Sequence, residues 1–248
     1  MSCFSETFPV RWHETGRDER LQVATAVQYL GHAAGLHAEQ LGFSLEALGE
    51  WGITWVLARM KVSFQSRPRR GETLVLDTWP YGGERMLFRR DYRIRTASGD
   101  PVLTASSWWV VFGLESRKVE PLPQFMKERF AAFTEPALDG AEVRIPVLKD
   151  PSAGPEFRAR LSDIDWNGHV NNGRFVDFVL EDAFGRGRTE DGLQGLEIAF
   201  RAEAVLNDTL QAFSEPEGES GLLHSIRRCA DGQELVRART LWGPGGSL

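Results

Sequence analysis

The order of the secondary-structure elements predicted along this chain of 248 residues occurs twice, and this repeat constrains the fold most. In the first half, a short strand at 8–13 precedes a helix at 21–41, where apolar residues recur with helical spacing. Strands rich in β-branched and aromatic residues follow at 53–64, 73–79, 86–96 and 102–112. The second half predicts the same order: a strand at 157–161, a helix at 172–184, and strands at 196–205, 210–215, 222–229 and 234–242.

A proline-rich stretch with a predicted local helix at 125–133 separates the two copies. We therefore assign residues 1–115 to a first unit, 116–154 to a connector and 155–248 to a second unit. Both units have the composition of an α+β fold, with one long helix and several antiparallel strands.

Direct comparison of the two copies indicates a duplication. A shift of 136 positions places Val62 on Ile198 and Leu74 on Leu210, and a shift of 133 places Trp109 on Trp242. A long helix packed on a curved antiparallel sheet, made twice in one chain, is the architecture of the tandem, or double, hot dog fold. Such a unit leaves a sheet edge open, so the second copy is expected to supply its partner. Two unrelated α+β domains are the alternative, which the shared offsets disfavour.

Composition excludes several classes of protein. The chain has 35 acidic and 29 basic residues, whereas domains that bind nucleic acid are usually basic. Its two cysteines, Cys3 and Cys229, cannot form a disulfide framework or a four-ligand zinc site, and no histidine spacing indicates a metal. The sequence starts without a signal peptide and contains no apolar stretch long enough for a spanning helix. We therefore expect a cytoplasmic protein.

The stretch from Asp163 to Asn172, before the second helix, is the best candidate for chemistry. In an extended backbone, Asp165, Asn167 and His169 would project from one side, because alternate residues of a strand face the same way. Asn171 or Asn172 could cap the helix, whose first backbone N–H groups suit an oxyanion.

A polar loop with a helix cap and no chemistry is the alternative interpretation of this stretch. The two copies differ here, because the first-copy connection at 13–19 lacks the Asp-x-Asn-x-His pattern. The first copy also carries Arg67 where the second carries Glu203. This asymmetry favours a functional role in the second copy.

At these residues the chain resembles the acyl-acyl carrier protein thioesterases of plant plastids and bacteria. The segment Asp165–Asn172 matches a family motif of the type Asp-x-Asn-x-His-Val-Asn-Asn, and residues 55–60, 71–79 and 89–92 extend the likeness to the first half. The resemblance implies a double hot dog fold and hydrolysis of fatty acyl-acyl carrier protein to free fatty acid, with no cofactor. It also implies catalytic roles for Asp165, Asn167, His169 and Glu203.

The chain departs from the family pattern at two positions. Ala204 follows Glu203 where some members have a cysteine that was read as the nucleophile, and Phe175 stands where many have tyrosine. Without that thiol, attack by an activated water is the simplest hypothesis. Glu203 or Asp165 would accept its proton, while His169 positions the water or stabilises charge.

In the same hypothesis, Asn167 would hold His169 or the water. Donors near Asn171 and Asn172 would stabilise the thioester oxygen. Covalent attack by a carboxylate is the alternative.

Arginines form a candidate surface for acyl carrier protein, an acidic partner. They are Arg67, Arg69, Arg70, Arg85, Arg89 and Arg90. Ordinary solvated strand ends are an equal alternative. Two other functions also stay open: hydrolysis of acyl-CoA, and noncatalytic acyl binding by a hot dog protein. The sequence determines neither the preferred acyl chain nor whether two double units form a homodimer.

Overall fold

The computed structural model describes residues 3–84, 86–129, 135–139 and 144–243. The chain divides into two compact units, one of Met1–Leu21 with Tyr29–Ala141 and one of Gln22–Gln28 with Glu142–Leu248. The predicted connector is therefore shared, since 116–141 group with the first unit and 142–154 with the second. No helix within the described ranges is long and apolar enough to cross a membrane.

The first unit contains an antiparallel sheet and the part of a long helix, α1, that follows Gln28; the earlier residues of this helix group with the second unit. The described elements are β1 (Phe4–Pro9), α1 (Val23–Gln40), α2 (Leu45–Glu50), β2 (Ile53–Phe64), β3 (Thr73–Glu84), β4 (Leu87–Thr96), β5 (Pro101–Gly113), β6 (Val119–Glu120) and α3 (Gln124–Arg129). The strand order is β1-β3-β4-β5-β2, and β6 pairs with β5. Leu30 and Ala33 of α1 are fully buried, as are Leu74 and Leu76 of β3. Their burial follows from helical spacing in α1 and from alternation in β3.

The second unit has the same layout. Its elements are β7 (Ser152–Arg158), α4 (Asn172–Gly185), β8 (Leu193–Phe200), β9 (Thr209–Glu217), β10 (Gly221–Arg228) and β11 (Glu234–Trp242). The strand order is β8-β11-β10-β9-β7, with antiparallel neighbours throughout. Phe175, Val176, Val179 and Ala183 have helical spacing and form the buried face of α4. The α+β class and the tandem hot dog fold predicted from the sequence are confirmed.

The duplication extends to individual backbone hydrogen bonds. Val10 N–H donates to Glu72 O at 2.9 Å, and Ala159 N–H donates to Asp208 O at 2.9 Å. Left-handed backbone also recurs at matched positions: Gly71 with Asn207, Gly99 with Gly232, and Glu19 with Gly168. These pairs are separated by 136, 133 and 149 positions, and matching turn conformations in the same order are expected of two copies of one ancestral unit.

Several predicted bounds were wrong. The strand predicted at 8–13 is β1, and a 3₁₀ turn at Trp12–Glu14 follows it. The strand predicted at 196–205 is β8, which ends at Phe200. Helix α2, of six residues, and strand β6, of two residues, were not predicted, because elements this short show too little periodicity to detect. Of the helix predicted at 125–133, α3 accounts for the part up to Arg129, and 130–133 lie outside the described residues.

Candidate active site

The segment between β7 and α4 is a tight turn. Asp165 N–H donates to His169 O at 2.8 Å, and Gly168 N–H donates to Asp165 O at 3.0 Å. The carboxylate of Asp165 stabilises this turn, because its Oδ1 accepts the N–H groups of Asn167 at 2.9 Å and His169 at 3.4 Å. Gly168 has a φ of +82°, which favours glycine. The extended backbone predicted for this stretch was therefore wrong.

His169 lies beside Glu203 from the loop between β8 and β9. An antiparallel bridge between His169 and Val205 and a 2.8 Å hydrogen bond from Val170 N–H to Ala204 O hold the two segments side by side. His169 Nε2 lies 3.2 Å from Glu203 Oε2, and their side chains are 32% and 54% exposed. The structure thus forms an imidazole–carboxylate pair that water and substrate can reach.

The other predicted catalytic residues lie in the same turn without joining this pair directly. Asp165 is half-buried and uses Oδ1 to hold the turn. Asn167 is exposed, and its side chain makes no hydrogen bond to any described residue. Asp165 therefore acts on the position of His169 through the backbone of the turn.

Asn171 is the cap of α4. Its Oδ1 accepts the N–H of Gly173 at 2.8 Å, and its own N–H donates to Asp163 O at 2.8 Å. Asn172 is the first helical residue and is exposed. The assignment of oxyanion donors to this helix start stays a prediction.

The carboxylate of Asp163, which was not among the predicted site residues, supports the turn. This side chain is 12% exposed, accepts the N–H of Arg160 at 2.8 Å and lies 3.6 Å from Arg174 Nε. Glu14 bonds Arg11 N–H in the same way in the first unit. The recurrence of an acidic residue three positions after an arginine was the signal that could have revealed this support of the turn.

The first unit carries the same turn with different chemistry. A shift of 149 positions relates the bridge Thr15–Leu21 to the bridge Ile164–Val170. At this shift Arg20 corresponds to His169 and Asp18 to Asn167, while Arg67 corresponds to Glu203 at the shift of 136. Arg67 Nη1 and Asp18 Oδ2 form an ion pair of 2.6 Å. The first copy therefore keeps the backbone and replaces the imidazole–carboxylate pair with an ion pair.

The predicted arginine surface is not one patch. Arg90 is 5% exposed, and Arg89 bonds the fully buried carboxylate of Asp91 at 2.7 Å. Arg90 pairs with Pro80, which lies seven residues along β3 from Thr73. This length of strand separates Arg90 by roughly 23 Å from the end of β3 that adjoins the loop of Arg69. Arg89 and Arg90 are thus structural, and their assignment to a carrier surface was wrong. Arg85 lies outside the described residues.

The remaining arginines differ in availability. Arg67 is held by Asp18 and by Leu21 O. The guanidinium of Arg70 stacks 3.6 Å from the ring centroid of Trp12. The side chain of Arg69 is exposed. Within the described part of the chain, no group of three or more His, Cys, Asp or Glu side chains could hold a metal ion.

The buried contact between Arg90 and His37 predicts a pH-dependent stability. Arg90 Nη1 lies 2.9 Å from His37 Nδ1. Burial and, to a smaller extent, the charge of Arg90 lower the pKa of His37 from 6.5 to about 4. Between these two values the unfolded chain binds a proton that the folded chain does not. The free energy of unfolding should therefore fall as the pH drops from 6.5 towards 4, by up to about 1.4 kcal/mol per pH unit.

Denaturant unfolding between pH 7 and pH 4 measures this dependence. The substitution His37→Asn keeps an acceptor for Arg90 and removes the titration, so it should make the dependence shallower. Equal pH dependence in the two proteins would contradict the assignment.

The fold and the site define a double hot dog protein with an imidazole–carboxylate pair in its second repeat. The family model for the acyl-ACP thioesterase N-terminal domain matches residues 1–130, and the model for the C-terminal domain matches residues 148–244. This chain belongs to the acyl-ACP thioesterase family.

Two named relatives have low sequence identity to this chain, but their matches extend over nearly all of it. A chloroplastic acyl-[acyl-carrier-protein] hydrolase of Cuphea viscosissima is 27% identical over 97% of this chain and 63% of its own length. A chloroplastic oleoyl-acyl carrier protein thioesterase of Arabidopsis thaliana is 26% identical over 96% of this chain and 75% of its own length. The chain thus spans about 63% of the length of the first relative.

Solved structures share the fold. An acyl-ACP thioesterase from Bacteroides thetaiotaomicron has a TM-score of 0.86 at 24% identity, covering 97% of this chain and 98% of its own. A 12:0-ACP thioesterase from Umbellularia californica has a TM-score of 0.83 at 23% identity, covering 98% and 97%. These similarities confirm the tandem fold of the two units.

Proposed function

We propose that this protein hydrolyses the thioester of fatty acyl-acyl carrier protein and releases free fatty acid. The observation that carries the proposal is the accessible contact of 3.2 Å between His169 Nε2 and Glu203 Oε2, in the family's motif region. The names of the relatives, which are acyl-ACP hydrolases and thioesterases, support the substrate class.

Glu203 is the preferred general base for this reaction. Asp165 uses Oδ1 to hold the turn, whereas Glu203 is 54% exposed and contacts His169. Glu203 would accept a proton from water as the water oxygen attacks the thioester carbon. The carbon–sulfur bond then breaks, and the sulfur of the carrier leaves as a thiol with the proton that Glu203 returns. His169 would orient Glu203 and the water, and Asn167 stays a candidate for holding the water.

The carrier itself is proposed to be recognised through Arg69, with Arg70 as a neighbour. Arg69 is exposed, and a positive side chain here would attract an acidic carrier. For Arg69→Glu we expect a higher KM for acyl-acyl carrier protein, by severalfold at low salt, with an unchanged KM for the same acyl chain on CoA. Steady-state kinetics with both substrates measures the effect.

The matched control is Arg117→Glu, which reverses another exposed arginine of the first unit. An equal KM for the carrier substrate in wild type and Arg69→Glu would contradict the carrier surface. A wild-type preference for the CoA ester over the carrier ester would instead favour the acyl-CoA thioesterase function.

A noncatalytic acyl-binding protein would have no use for the accessible pair of His169 and Glu203, so this alternative is less favoured. If the protein hydrolyses no acyl chain of about eight to eighteen carbons, attached either to acyl carrier protein or to CoA, the acyl-binding function would be favoured instead. The cytoplasmic location and the homodimer stay predictions.

A further inference from the structure

The side chain of Gln28, on α1, covers Gly173 at the start of α4. A Cβ atom placed on Gly173 would lie 2.6 Å from Gln28 Cγ and 2.7 Å from Gln28 Nε2. These distances are shorter than any ordinary carbon contact, so only glycine allows the Gln28 side chain to lie there. Gln28 belongs to the second compact unit, together with the motif.

The amide of Gln28 lies beside the start of α4, where the thioester oxygen is predicted to bind. The same Cβ position is 3.1 Å from Asn171 Oδ1, which caps the helix two residues after His169. Gln28 is exposed, and no hydrogen bond to another described residue holds its amide. Its two N–H donors are therefore available to a ligand that binds at the start of α4.

We propose that Gln28 Nε2 donates a hydrogen bond to the thioester carbonyl oxygen of the substrate. This inference rests on the proposed function. The carbonyl oxygen gains negative charge as water adds to the carbon. A hydrogen bond from the amide is therefore stronger to this oxygen in the transition state than to the uncharged carbonyl of the bound substrate. Gln28 would thus be a catalytic residue that the motif itself does not contain.

Comparison of the two repeats supports a donor role. The shift of 149 positions that relates the two turns places Gln28 on Asp177. Asp177 Oδ2 accepts a bond from Arg174 Nη1 at 2.9 Å. An ionised carboxylate can only accept hydrogen bonds. The donor is therefore present on α1, beside Gly173 at the start of α4, and its counterpart on α4 is an acceptor.

The substitution Gln28→Ala should lower kcat about 10²-fold and change KM little, because the bond strengthens only in the transition state. Gln28→Glu keeps the size and removes the donor, so it should lose at least as much. Gln40→Ala, at an exposed glutamine of the same helix, is the matched control and should retain the wild-type kcat.

The substitution Gly173→Ala gives an independent test, because it displaces the Gln28 amide without removing it. We expect a loss of kcat similar to that of Gln28→Ala, and no further loss in the double variant. Losses that multiply in the double variant would overturn the inference, as would a kcat within threefold of wild type for both Gln28 variants. Absence of turnover by the wild-type protein would instead refute the proposed function. Thermal unfolding checks that all variants are folded.

Discussion

The substitution His169→Ala is expected to lower kcat/KM for acyl-acyl carrier protein by about 10²- to 10⁴-fold. The loss follows from the 3.2 Å contact between His169 Nε2 and Glu203 Oε2, which Ala cannot make. Glu203→Gln keeps the size of the side chain and removes the base, so it should lose a similar factor. Both side chains are partly exposed, and we expect the thermal midpoint to change little.

The first repeat supplies the control for this experiment. Arg20 occupies the position of His169 in the first turn and donates to Arg67 O at 2.7 Å. Arg20→Ala should leave kcat/KM within a fewfold of wild type. Near-normal hydrolysis by both His169→Ala and Glu203→Gln would remove the site assignment.

Among the substitutions proposed for this protein, His224→Ala is expected to lower the free energy of unfolding most, by about 3–5 kcal/mol. His224 Nδ1 lies 2.8 Å from Asp182 Oδ2, and His224 Nε2 lies 2.7 Å from Thr240 Oγ1. All three residues are fully buried. Since a carboxylate only accepts, Nδ1 carries the hydrogen of the first bond. Removal of the imidazole takes the short hydrogen bond of Asp182 Oδ2 away from this buried carboxylate. Its other oxygen, Oδ1, keeps a longer ion-pair contact with Arg186 Nε at 3.8 Å.

Thermal and denaturant unfolding measure this loss. For a chain of this length the midpoint should fall by roughly 6–20 °C. His32→Ala is the matched control, because His32 is 60% exposed and lies 3.9 Å from Glu6 Oε1. Equal midpoints for the two variants would contradict a stabilising role for the buried network.

The duplicated fold could be predicted because its signal is repeated. Strands β2 and β5 have long apolar runs, and the shifts of 136 and 133 aligned core and turn residues in both copies. The shape of the turn that carries Asp165 and His169 could not be predicted from alternation. A side chain that bonds its own backbone, as Asp165 does with Asn167 N–H, competes with extended structure.

The pairing of Glu203 with His169 depends on tertiary contacts between segments that are distant in sequence. The family resemblance predicted both residues as members of one site but not their contact, since no local pattern links the two residues. The position of Gln28 over Gly173 depends in the same way on contact between two helices. Such contacts have no periodicity that a single sequence displays.

The burial of Arg90 did have a local signal. Phe88, Arg90, Tyr92 and Ile94 alternate along β4, and all four are buried. Period-two alternation therefore placed Arg90 on the apolar face of the strand. Grouping arginines by sequence proximity ignored this alternation, which is why the predicted carrier surface included Arg90. The bond of Arg89 to Asp91 had no such signal.

A single turnover of wild-type protein with acyl-acyl carrier protein in ¹⁸O-labelled water distinguishes attack by water from attack by a carboxylate. We expect release of free fatty acid with one labelled oxygen, and no label in Glu203 or Asp165. Label in either carboxylate would contradict direct attack by water. Release of no fatty acid from any acyl chain of about eight to eighteen carbons would contradict the proposed thioesterase function itself.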